Sequence, residues 1–105
     1  MAAVTTNKKI TMATVKSFVK KNINELHVKC CSRFDGMTDC VEKNTDAAYK
    51  KVDPEKLDFN KPSFGFDGFW TVGCSRDYIK QITENNFTGF EVSNSCGRSI
   101  IAIKN

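Results

Sequence analysis

The sequence predicts a single α+β domain: a sheet of about four mainly antiparallel strands with two main helices packed on one face. Three observations carry this. Apolar residues recur at helical spacing near the N-terminus, two strand-like apolar runs flank a turn at the C-terminal end, and 105 residues suffice for one hydrophobic core but not two. Apolar residues make up 40% and charged residues 27% of the chain, which is the regime of chains that fold alone rather than of disordered ones.

Residues 1–9 read as a flexible polar tail, and 10–105 as the domain. Thr11 can cap a helix whose apolar positions Met12, Val15, Val19, Ile23 and Leu26 repeat every three or four residues, the spacing of one buried face. At about 100° per residue, Lys9, Lys16 and Lys20 fall within roughly 40° of one another beside that face. The first helix is therefore amphipathic and basic. Asn22 and Asn24 weaken it, and Leu26-His27-Val28-Lys29-Cys30 then alternates as a half-buried strand does.

Asp35-Gly36 marks a turn, after which Met37–Val41 returns as a second strand or opens a short helix, with the strand preferred. Thr45 caps a short helix through Val52, stopped by Asp53-Pro54, because proline restricts the residue before it. Leu57–Gly68 is a glycine- and proline-punctuated loop that buries the rings of Phe59, Phe64 and Phe66. Phe69–Cys74 reads as a core strand. Ser75 caps the second main helix through about Thr83, with Tyr78, Ile79 and Ile82 inward. Phe87–Ser93 and Arg98–Lys104 are strands around Asn94-Ser95-Cys96-Gly97, and Ile100 to Ile103 is apolar on both faces, as an interior strand requires.

Charge is unevenly spread beneath the net +4. Residues 1–33 hold seven basic side chains and one acidic (+6), residues 34–67 five and eight (−3), and the remainder four and three (+1). A basic first third attracts anionic partners such as phosphate at long range. No apolar run approaches the roughly 20 residues of a membrane span, and the N-terminus lacks the apolar stretch of a secretory signal, so a cytoplasmic protein without membrane partner is expected. Five cysteines, two of them adjacent, suit reduced thiols better than a disulfide framework.

Several chemistries find no support. His27, Cys30, Cys31 and Cys40 are four soft ligands in one segment, but no Cys-x-x-Cys pair presents two thiolates together, and neighbouring strand residues face opposite ways. Buried thiols beside a surface imidazole are the simpler reading; neither metal nor cofactor is expected. No cysteine has an arginine six positions later, which disfavours a phosphatase loop. Asp35, Asp39, Glu42 and Asp46 lack the oxygen density of a calcium loop, and no glycine-rich nucleotide loop is present. Phe64-Gly65-Phe66-Asp67-Gly68-Phe69 overlaps the aromatic half of an RNA-recognition strand, but Pro62, Ser63 and Asp67 depart from that pattern.

Two surfaces remain. Lys9, Lys16, Lys20, Lys21, Lys29 and Arg33 form the candidate basic surface, which can bind phosphate without reading sequence. The second is a polar cluster drawn from turns and helix starts: Arg33, Asp35, Arg76, Asp77, Asn94 and Cys96. Turn and cap chemistry accounts for most of these residues equally well.

The segments Ile10–Asn22, Ser32–Asp39, Ser75–Tyr78 and Gly89–Gly97, taken in order, resemble a group of small proteins and accessory domains carried by bacteriophages and other mobile elements. The likeness spans nearly all of residues 10–103. It implies context rather than chemistry: a bacterial host cytosol, with a host protein or nucleic acid as counterpart, and no catalytic residues to transfer. The leading expectation is a non-enzymatic binding module that engages its partner through the basic N-terminal helix. The alternatives are a small enzyme with Cys96 as nucleophile, supported by Arg98 or His27, and a structural or assembly protein.

Overall fold

The structure, a computed structural model, describes residues 10–32, 49–66, 69, 76–95 and 97–105. It is α+β: helix α1 (Met12–Lys21) and strands β1 (Leu26–Ser32), β2 (Lys50–Lys51), β3 (Tyr78–Glu84), β4 (Phe87–Asn94) and β5 (Gly97–Lys104). The five strands form one sheet in the order β2-β1-β5-β4-β3, and every neighbouring pair is antiparallel.

Thr11 takes the N-cap position of α1, as its residue type suits, and its N–H donates to Thr14 Oγ1 at 3.4 Å. The helix ends at Asn22, whose backbone N–H makes the last ordinary helical bond to the Phe18 carbonyl at 3.1 Å while its side-chain Nδ2 competes for the same carbonyl at 2.9 Å. Competition of this kind is why asparagine ends helices. Val15 and Val19 are fully buried, and the Phe18 ring meets Phe90 of β4 edge-on at 5.3 Å.

The central strand β5 pairs with β1 from Leu26↔Ile103 to Ser32↔Gly97 and with β4 from Phe87↔Lys104 to Asn94↔Gly97. Directly opposed residues share a face. Ile101 therefore joins Val28, Phe90 and the helix valines in one cluster, whereas Ile100 and Ala102 join Tyr49 and Phe87 in a second. Both faces of the sheet are buried at its centre.

Three expectations are corrected. The second main helix, placed from Ser75 to about Thr83, is strand β3 over Tyr78–Glu84. Tyr78, Ile79 and Ile82 satisfy a helical face, but the positive φ of Asn85 (50°) and Asn86 (70°) makes a two-residue hairpin that pairs Glu84 with Phe87. Two successive left-handed residues favour the turn type that matches strand twist, and asparagine tolerates it. The short helix ending at Val52 is replaced over its described part by β2, whose Lys50 and Lys51 pair with Val28 and His27. Phe69 lies in a turn, its N–H donating to the Phe66 carbonyl at 3.2 Å, rather than at the start of a strand. The sheet thus has five strands, with one helix among the described residues, instead of four and two. The expected tail, the Met37–Val41 strand, and the remainder of the Thr45 helix and Phe69–Cys74 strand lie outside the described residues.

Gly89 is where β4 and β5 approach most demandingly: a Cβ there would collide with the Ile101 carbonyl and with Ala102. Overpacking against backbone costs about 1–3 kcal/mol. Gly89→Ala is expected to lower the unfolding free energy by that much, read as a lower urea midpoint at an unchanged m-value; an unaltered midpoint would show that the β4–β5 spacing is not as tight as described.

Candidate functional site

The helix that buries Val15 and Val19 necessarily carries Lys16 and Lys20 alongside, four residues apart on one exposed stripe. Their ammonium groups lie over the ring of Phe59, at 5.0 Å and 6.0 Å from its centroid. That range gives cation–π attraction, worth roughly 0.5–1 kcal/mol at exposed sites.

The loop that holds Phe59 is built from its own hydrogen bonds. Asp53 Oδ1 accepts from the Glu55 N–H at 3.0 Å and starts a single turn over Pro54–Lys56. Asp58 Oδ1 accepts from the Asn60 N–H at 2.9 Å, and the Asp58 N–H donates to the Phe64 carbonyl at 3.0 Å. Phe64 at φ 57° and Gly65 at φ 81° then reverse the chain, with no room for a Cβ on Gly65 against the Lys56 carbonyl. The rings form a series from core to surface. Phe69 stacks on Phe64 at 5.9 Å, Phe64 meets Phe59 edge-on at 5.8 Å, and Phe59 stands half-buried beside the two lysines.

Beside this stack lies a cleft of about 330 Å³ whose walls include Met12, Lys16, Phe59, Lys61 and Asp77. A second hollow of about 440 Å³ shares Met12 and Asp77 and reaches Arg76 and Tyr78. The first cleft thus brings together an aromatic ring, two lysines and Asp77.

Of the expected basic surface, Lys16, Lys20 and Lys21 are exposed on α1. Lys29 departs from it: only 1% of the residue is accessible, and its ammonium lies 5.3 Å from the centroid of the Tyr49 ring. The reason is register, since Lys29 sits opposite Ile100, on the sheet face away from α1. Lys9 and Arg33 lie outside the described residues. Of the polar turn cluster, Asp77 and Asn94 meet, with Asn94 Nδ2 donating to Asp77 Oδ1 at 2.8 Å, and Arg76 stacks over the Tyr78 ring at 5.6 Å. Asp35 and Cys96 lie outside the described residues.

Sequence reasoning missed two groupings. Lys50, Lys51 and Lys56 line a recess of about 230 Å³ beside Val28 and Phe66, in a stretch counted as acidic on balance. On the face away from α1, Arg98 pairs with Glu91 at 2.8 Å and approaches Glu84 at 3.6 Å, and Lys80 lies 3.7 Å from Glu91. Only cross-strand register brings these residues together. Among the described residues, no cluster of three or more His, Cys, Asp or Glu side chains could hold a metal ion, and no helix is long and apolar enough to cross a membrane. The chain matches no family model, no curated protein and no solved structure.

His27 packs edge-on against Phe87 at 5.0 Å. Burial holds its pKa below the ordinary 6.5 and outweighs the opposing hydrogen bond to the Glu25 carbonyl, while Lys51 and Lys104 push it further down. The folded state therefore binds this proton less readily than the unfolded chain does. Its contribution to stability is present above pH 6.5 and is lost as pH falls through the depressed folded value. His27 is the sole histidine, so its imidazole proton resonances titrate without overlap from another ring. They are expected to report a midpoint under 6.5, and His27→Gln should flatten the stability slope in that window. A midpoint at or above 6.5 would contradict the packed position.

Proposed function

We propose that this chain is a non-enzymatic binding module that engages the phosphate backbone of single-stranded nucleic acid through α1 and the Phe59 loop. The accessory role in a phage or mobile element implied by the sequence resemblance is the context of that proposal. One observation carries it: Lys16 and Lys20 both lie over the half-buried Phe59 ring, and Lys16, Phe59 and Lys61 line one cleft. Proteins that bind single strands without sequence preference combine cations that follow the backbone with aromatic faces on which bases stack. Flexible lysines over the ring can move to phosphates while a base takes their place on Phe59. Lys21 adds a further exposed cation at the last turn of the helix.

Titration of a labelled single-stranded oligonucleotide, followed by anisotropy across a salt series, tests this. Roughly three phosphate contacts at about 0.7 each predict a log–log salt slope near −2. Lys16→Glu combined with Lys20→Glu should abolish binding. Phe59→Leu, which keeps an apolar side chain but no ring face, should weaken it by about 1–3 kcal/mol, the worth of one stacked base. Absence of binding at low salt, or affinity unmoved by the double lysine variant, rejects the reading. Nuclease-resistant capture of a host protein in its place would move the partner to the protein class.

A further inference from the structure

The two edges of the sheet are unlike. β2 is two residues long and both are exposed lysines, the kind of short charged edge that resists pairing with another chain. β3 runs seven residues, Tyr78–Glu84, without proline, and its register with β4 is unbroken from Tyr78↔Ser93 to Glu84↔Phe87. The hairpin turn settles which of its backbone groups are committed. Glu84 and Phe87 close a two-residue turn and form a hydrogen-bonded pair, so Ile82, Lys80 and Tyr78 also bond to β4. The N–H and C=O groups of Ile79, Gln81 and Thr83 therefore point outward, and among the described residues none bonds to them. Beside them stands Tyr78, 61% accessible and the only large hydrophobic side chain among the described residues that is exposed.

We propose that β3 is a homodimer interface, pairing antiparallel with β3 of a second copy about a two-fold axis through Ile82. The outward groups of Ile79, Gln81 and Thr83 restrict the pairing to registers that oppose odd-numbered residues to odd. Side-chain charge selects among them. Centring on Lys80 sets two lysines face to face, which is repulsive. Centring on Gln81 opposes Lys80 to Ile82 and leaves Glu84 against Tyr78. Centring on Ile82 opposes Lys80 to Glu84 twice, once on each side of the axis, and brings the two Ile82 side chains together. Gln81 and Thr83 then exchange backbone hydrogen bonds with Thr83 and Gln81 of the second copy. Lys80 is well placed for this, its side chain being 68% accessible. The interface is closed by symmetry, because the β3 edge of each copy is fully occupied by the other.

Directly opposed residues of an antiparallel pair share a face, so the joined sheet, two sets of five strands, carries both α1 helices on the same side. The interface stands independently of the nucleic-acid reading, since its test requires no ligand.

Sedimentation of the full chain from micromolar to sub-millimolar concentration is expected to show a monomer–dimer equilibrium, with Lys80→Glu and Glu84→Lys each monomeric. In each variant positions 80 and 84 carry like charge, but in a mixed pair they become opposite at both contacts. Mixing the two monomeric variants should therefore restore the dimer. In the unmodified chain, the amides of Gln81 and Thr83 should gain protection from hydrogen exchange as concentration rises, while those of Lys80 and Ile82, bonded to β4, stay protected throughout. A monomer at every concentration overturns the proposal. So does a dimer in which the Gln81 and Thr83 amides exchange freely, whatever the folding of the variants.

Discussion

The fold depends on β5 lying at the centre of the sheet with both of its faces buried. Ile100, Ile101 and Ala102 are all inaccessible, and alternation sends Ile101 to one side and its two neighbours to the other. A one-residue slip against β1 or β4 would exchange the two sets, so register is strongly specified. One side of the sheet must therefore be covered by α1 and the aromatic loop. On the other, Tyr49 stacks on Phe87 at 4.0 Å with the Lys29 ammonium over its ring.

The candidate surface follows from that requirement. Covering Ile101, Phe90 and Val92 takes an amphipathic helix, and a helix that buries Val15 and Val19 presents Lys16 and Lys20 at the border of its buried face. The loop must bury Phe64, Phe66 and Phe69, and the next ring outward, Phe59, emerges under those lysines. Neither feature needs its own scaffold, as both are outer layers of core packing. The opposite face resolves its charges differently. Glu91 is 8% accessible and is held by Arg98 at 2.8 Å, so the carboxylate is compensated inside the sheet. Removing one partner from such a pair costs more than the pair contributes, because it strands a buried charge.

Much of this could be read from residue order. The spacing of Met12, Val15 and Val19 marks α1, the alternation from Leu26 marks β1, and the β4 and β5 runs lie within a residue or so of their observed limits. The rings of Phe64 and Phe66 were legible as buried because glycine and proline around them forbid regular structure. β3 was not, because Tyr78, Ile79 and Ile82 fit a helical face as well as a strand, and the deciding signal was the Asn85-Asn86 turn rather than the periodicity. Lys29 looked like part of a basic surface since sequence does not say which sheet face will be covered. Its burial against Tyr49 is a consequence of long-range pairing. For the same reason, the convergence of Lys16, Lys20 and Phe59, some forty residues apart in sequence, could not be read from either segment alone.

The proposed contact with a partner lies on the helix side of the sheet, at the junction of α1 and the Phe59 loop. Amide chemical-shift mapping during titration with a single-stranded oligonucleotide addresses it most directly, because it reports location rather than affinity. The largest shifts are expected to cluster on Met12–Lys20 and on Phe59–Lys61, with the Tyr49, Phe87 and Glu91 face unmoved. Shifts concentrated on that opposite face, or on Lys50, Lys51 and Lys56 beside β2, would contradict it.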